Sequence, residues 1–167
     1  MAKYKTIIGR AESLDLPARL LTDIPAKTDT GAYYSSIHAT DIVEVEKKNG
    51  KKVLSFKLLG NHPSYPYSRD IEVKSYSKTT VENSFGDKQE RYKVEFKVRI
   101  AGKLFRTPFT LADRTKKVFP VLLGKTLLNK RYLVDTDIAN IDRKLLKVKL
   151  TDWLKKDDQT DDEEVNL

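Results

Sequence analysis

The chain contains no cysteine, which removes disulfides, thiol catalysis and thiolate metal sites together. It has two histidines, His38 and His62, without an HExxH spacing, so a zinc site has no ligand set to draw on. No apolar run approaches the roughly 20 residues that a membrane-spanning helix needs. The start, MAKYKTIIGRAESLDL, is basic but has only Ile7 and Ile8 as an apolar centre, so it does not read as a secretory signal. Glycine is sparse, with 7 in 167 residues. "LLGKT" at 122–126 ends like a phosphate-binding P-loop, yet Phe119 stands where that pattern needs a glycine to curl its amides around a phosphate. A glycine-flanked nucleophile elbow for serine chemistry is also missing. These absences lead to the expectation of a cytoplasmic protein with no cofactor, no metal and no membrane partner.

Charge, by contrast, is plentiful and uneven. Charged residues make up 34% of the chain and the formal net charge is +8. The stretch from Asp157 to Leu167 holds six acidic residues and no Lys or Arg, so Met1 to Lys156 carries +8 − (−6) = +14. A body that basic draws acidic partners over about a Debye length, and nucleic acid, a ribosomal surface, an acidic peptide and an anionic membrane surface all fit its charge. A lysine-rich surface that merely keeps the protein soluble fits as well. The acidic end has too few apolar residues to offset its ordering entropy and is expected to be disordered, leaving residues 1–156 as one domain.

Within that domain the hydrophobic rhythm has a period of two. In "VEFKVRI", Val94, Phe96, Val98 and Ile100 share one face while Glu95, Lys97 and Arg99 share the other. "KVLSFKLL" (52–59) and "IVEVEK" (42–47) repeat the pattern, and further strands are expected at 4–10, 24–28, 71–81, 104–111 and 119–123. "KNGKK" and "IAGKLF" are hairpin signals. "GNHPSYPYS" (60–68) reads as an irregular loop. Helix is expected only at Lys125 to Arg131, and Ile141 to Lys156 fits either a helix or a final strand. Short strands with regular turns predict a mainly β protein, a closed barrel or a sandwich.

One triplet carries chemistry. In "IPAKTDTGA" a strand-like run leads into Asp29, Thr30 and Gly31. Any Asp-Xaa-Gly can form a turn, and three letters do not separate a turn from a site. If it is a site, Asp29 faces a cleft, Thr30 supplies a bracing hydroxyl, and Gly31 permits a tight turn with close backbone approach. Two such loops related by a twofold axis would bring two Asp29 carboxylates together, and like charges that close share one proton. The ionised member then takes a proton from water while the protonated one hydrogen-bonds the scissile carbonyl. The triplet occurs once, because "VDTDI" (134–138) has Asp137 in place of the glycine. Catalysis would therefore require a homodimer.

Taken together, "IPAKTDTGAYYSSIHA" (24–39), "NSFGDKQERY" (83–92) and "FTLADRTKKVFPVLLGKTLLNKRYLVD" (109–135) resemble the retropepsin-like aspartic proteases. Within them, the similarity is to a bacterial group often labelled "ATP-dependent zinc protease". The resemblance implies a closed acid-protease barrel with one or two short helices, and a homodimeric endopeptidase with one catalytic aspartate per subunit. It places catalysis at Asp29, with Thr30, Gly31 and Ala32 completing the loop. Ser84, Phe85, Gly86 and Arg91 fall in a flap over the cleft, and Asp113, Arg114, Leu123 and Gly124 support the site. Neither zinc nor ATP finds support in these residues. Members of this group are similar to partners of ATP-grasp ligases that add glutamate tails to ribosomal protein S6, which implies an acidic peptide as substrate. Two other readings compete: a non-catalytic basic barrel that binds ribosomal or other RNA, and a regulatory partner of a glutamate ligase.

Overall fold

The computed structural model of the chain describes the backbone of residues 4–165 and side chains up to Asp158. Ten strands and two helices follow one another as β1 (Thr6–Leu16), β2 (Leu21–Thr28), β3 (Ser35–Glu46), β4 (Lys52–Leu58), β5 (Arg69–Val73), β6 (Ser77–Glu82), β7 (Lys88–Ile100), β8 (Lys103–Ala112), β9 (Val121–Leu123), α1 (Lys125–Leu128), β10 (Tyr132–Ala139) and α2 (Arg143–Val165). The strands β1, β2, β9, β3, β8 and β7 are hydrogen-bonded in that order, and the Asp15–Arg99 pairing joins β7 back to β1, closing a barrel. The fold is therefore mainly β, as the period-two patterning predicts. Closure leaves β10 and β6 as extensions at the rim and β4–β5 as a flange on β3.

The alternation in β7 does what its pattern requires. Val94, Phe96, Val98 and Ile100 are buried inside the barrel and the charged residues between them face water. They pack with Ile24, Ile37, Phe109, Val121 and Leu123 from four other strands, so one core serves the whole ring. Phe96 and Phe109 meet edge to face with centroids 5.8 Å apart. Both expected hairpins form, and Gly50 and Gly102 take the positive φ that their turns need.

In three segments the structure adds to the sequence expectations or departs from them. The stretch 71–81 is two strands, because the chain turns at 74–76 from pairing with β4 to pairing with β7. Residues 134–138, read as a failed copy of the acidic triplet, lie in β10, which pairs in parallel with β1. Tyr132 anchors that strand by donating its hydroxyl to the Ile100 carbonyl at 2.8 Å. The ambiguous stretch from Ile141 is a helix. Asp142 caps it by accepting the Lys144 and Leu145 amides on Oδ1, and Leu146 and Leu150, one turn apart, are its buried face. Leu146 packs on Ala11 and Phe119. The helix continues into the acidic stretch as far as Val165, without a backbone break at 156, while residues 166 and 167 lie outside the described ones. Among the described residues, no helix is long and apolar enough to cross a membrane.

Candidate active site

Strands β2 and β3 are consecutive in the chain but not neighbours in the sheet, because β9 lies between them. The loop that joins them must cross the end of β9, and Asp29 sits at the start of that crossing. Its amide donates to the Leu123 carbonyl at 2.9 Å, and its carboxylate Oδ1 accepts the Gly31 amide at 2.9 Å. The loop returns over the first turn of α1, where the Lys125 and Thr126 amides donate to the carbonyls of Ala32 and Tyr33. Gly124 lies so close beneath it that a Cβ would stand 2.5 Å from the Tyr34 carbonyl carbon and oxygen. Its amide donates to Ser35 Oγ at 3.0 Å. The Leu123-Gly124 pair is thus the floor of the Asp29 loop.

The bracing hydroxyl belongs to a different threonine from the one expected. Thr28 Oγ1 donates to the Gly9 carbonyl at 2.7 Å, tying the end of β2 to β1, whereas Thr30 is exposed. Asp29 is half-buried.

Asp29, Gly31 and Ala32 line a cleft of about 890 Å³. The β6–β7 hairpin forms its opposite wall through Thr80 to Ser84. The hairpin turn is organised by Asn83, whose Oδ1 accepts the amides of Phe85 and Asp87, and Gly86 supplies the φ of 84°. Ser84 faces the cleft, while Phe85 projects from the tip with 89% of its surface exposed. Phe85 and Gly86 are not among the cleft-lining residues.

Arg91, Arg114 and Lys117 also line the cleft, against the carboxylates of Asp29 and Glu82. Burial pushes the Arg114 guanidinium down to about 10, with the Arg91 charge acting in the same direction and Asp29 opposing it. Burial lowers Arg91 as well. Arg114 donates from Nε to the Phe119 carbonyl at 3.0 Å, and Arg91 from Nε to Gln89 Oε1 at 2.9 Å. Neither forms an ion pair among the described residues. Two guanidiniums that burial disfavours, with no carboxylate in ion-pairing distance among the described residues and Asp29 acting on Arg114 only from further off, leave donors that an anion would satisfy.

Asp113 and Arg114, adjacent in sequence, part company. Arg114 turns into the cleft. Asp113 stays largely exposed and accepts the Thr115 amide at 2.9 Å and the Thr115 hydroxyl, which hold its carboxyl below the usual range.

Several participants lie within the motifs that carry the resemblance but were not singled out from the sequence. Ser36 lines the cleft with a buried hydroxyl that has no hydrogen-bond partner among the described residues. Lys117 and Tyr34 arrive from separate loops, and Lys93 stands 4.5 Å over the Tyr34 ring while donating to its hydroxyl at 3.2 Å. Only the strand crossing brings these positions together, so spacing along the chain carries no trace of them. Tyr33, beside the Asp29 loop, is 63% exposed.

A closed barrel with an Asp-Thr-Gly loop crossing an inserted strand under a hairpin defines a retropepsin-like protein. Residues 7–144 match the family described as RimB-like, retropepsin-like aspartic endopeptidase RimB, and the chain belongs to that family. It is 30% identical over 135 residues to proteins named probable alpha-L-glutamate ligase from Shewanella pealeana and Shewanella halifaxensis. The match covers 81% of this chain but 29% of each relative, so the chain spans less than a third of their length. Among solved structures, it is similar to Lpg0085 of Legionella pneumophila, a protein described as having unknown function. That match has 26% identity and a TM-score of 0.63, covering 81% of this chain and 97% of the other.

Proposed function

We propose that this protein is an aspartic endopeptidase that works as a homodimer, each copy contributing one Asp29, with an acidic peptide as substrate. The observation that carries the reading is the single Asp29, held beside the cleft by a loop hydrogen-bonded to Leu123 and to the first turn of α1. One carboxylate cannot act as both base and acid in the same step; two facing copies divide the roles. The ionised Asp29 takes a proton from water as the hydroxide oxygen bonds to the scissile carbonyl carbon. The protonated partner donates to the carbonyl oxygen. Collapse then breaks the C–N bond as the proton taken from water passes to the leaving nitrogen and a hydroxyl proton of the intermediate returns to the partner carboxylate, leaving a carboxylic acid, an amine and a dyad that again shares one proton.

The acidic substrate is supported by the unpaired Arg91 and Arg114 beside Asp29 and by the +14 body. A polyglutamate tail on a ribosomal protein such as S6 has that chemistry, and a cytoplasmic setting accords with it. The relatives' names favour a second reading, in which the barrel serves a glutamate ligase as a regulatory module without turnover of its own. Incubation of the protein with an oligoglutamate peptide separates them. Cleavage that disappears in Asp29→Asn supports the peptidase. A protein that co-purifies with a ligase and leaves the peptide intact would favour the module.

A further inference from the structure

Two buried histidines stand behind the cleft. His38, in β3, and His62, in the 60–68 loop, are each 0% exposed, and their rings meet edge to face with centroids 5.1 Å apart. Between them they grip both peptide groups of Arg114. The Arg114 amide donates to His38 Nδ1 at 2.8 Å, and His62 Nε2 donates to the Arg114 carbonyl at 2.8 Å. The Ser64 amide donates to His62 Nδ1 at 3.0 Å. This network assigns the tautomers: each Nδ1 accepts, so each neutral ring carries its hydrogen on Nε2.

The His38 Nε2 hydrogen makes no well-formed hydrogen bond among the described residues, although the Gly60 and Ala112 carbonyls lie close enough to the ring to pull its value upward. An apolar side chain would fill that space without the penalty of an unpaired buried donor. What the imidazole adds is an acceptor directly behind Arg114. With its backbone clamped and its Nε bonded to the Phe119 carbonyl, Arg114 presents its remaining guanidinium nitrogens, which have no partner among the described residues, to the cleft.

We propose that His38 and His62 are positioning residues that hold Arg114 at the cleft to bind an acidic residue of the substrate, and that a second proton on either ring loosens this hold. The inference rests on the acidic-substrate reading above. A second proton must enter at Nδ1, where it displaces the Arg114 amide from His38 or the Ser64 amide from His62. The charged and titratable groups facing the pair are Asp113, whose Oδ1 is 3.9 Å from His38 Nδ1, Arg114, and the two rings themselves. Burial outweighs the pull of Asp113 and keeps His38 below its ordinary value. At neutral pH both rings are uncharged and the grip is intact.

The test titrates tetraglutamate calorimetrically into the full-length Asp29→Asn protein, where nothing is cleaved. In that background, His38→Leu and Arg114→Gln each weaken binding tenfold or more, and the two together weaken it no further, because both remove the same contact. His38→Asn, whose amide oxygen falls near the Nδ1 position, recovers most of the affinity. Unchanged affinity in His38→Leu, or losses that multiply in the double variant, overturns the proposal. Amide exchange gives a ligand-free readout. The Arg114 amide is protected at pH 7 and exchanges at least tenfold faster in His38→Leu, while neighbouring β8 amides do not change. An unprotected Arg114 amide in the wild type also overturns it. If tetraglutamate fails to bind the parent while this exchange pattern holds, the positioning stands and the acidic-substrate reading alone is lost.

Discussion

Burial of His62 makes the stability of this protein depend on pH in a way that can be worked out in advance. The imidazole has an ordinary value of 6.5 and is pushed down to about 4, chiefly by burial, with His38 and Arg114 lowering it further. Between those values the unfolded chain binds a proton that the folded one does not, so stability rises with pH across the window and falls on acidification. At pH 5 the unfolded imidazole is almost fully charged while the folded one is almost fully neutral. Going from pH 7 to pH 5 therefore costs about 2 kcal/mol through this one group. His38 is shifted the same way and adds to the loss. The assay is urea unfolding of wild type and His62→Gln at pH 7, 6 and 5 and fixed protomer concentration. Glutamine keeps a donor for the Arg114 carbonyl but does not titrate. Carboxylates lowered in the folded state, such as Asp113, also lose stability on acidification, but they do so in both proteins and cancel in the difference. The wild type should lose about 2 kcal/mol more than the variant between pH 7 and 5. Parallel slopes for the two proteins would refute the reasoning.

Three further outcomes are expected. Asp29→Asn keeps the oxygen that accepts the Gly31 amide, so its melting temperature and self-association should match the wild type while peptide hydrolysis falls by at least about a hundredfold; residual turnover near the wild-type level would remove Asp29 from the chemistry. Gly124→Ala places a methyl group against the Tyr34 carbonyl and must displace the Asp29 loop, costing about 1–3 kcal/mol by thermal or urea unfolding and lowering hydrolysis further than stability alone explains; a variant with unaltered stability and activity would mean that the close approach is not needed. Phe85→Ser, at the exposed hairpin tip, should leave stability within about 0.5 kcal/mol but raise KM for the peptide; an unchanged KM would show that the tip does not meet the substrate.

The parts of the molecule legible in the chain are those governed by local rules. The period of two in residues 94–100 shows which side chains enter the barrel, because a strand has only two faces. Asn83 and Gly86 announce a hairpin, since Asn accepts nearby amides and Gly accepts a positive φ. Where local rules pointed two ways, a neighbour decided. Residues 143–156 alternate loosely enough for a strand, but the Asp142 cap and the packing of Leu146 on Phe119 make them helical. Residues 71–81 lack a clear breaker, and only the change of partner strand divides them.

For the site, the sequence by itself pointed to Asp29 and the turn around it, because a turn of this kind depends on residue types that few others can replace, while the resemblance implied the support at Gly124. It also determined that a single copy carries one such acid. Tertiary structure decided everything that depends on strands distant in the chain becoming neighbours. The insertion of β9 between β2 and β3 makes the Asp29 loop cross Leu123, and barrel closure turns Arg91, Arg114 and Ser36 toward one cleft. It also makes Thr28 the brace and places both histidines behind Arg114. Charge and hydrogen bonding act across a few ångströms of space, and the sequence records only separation along the chain.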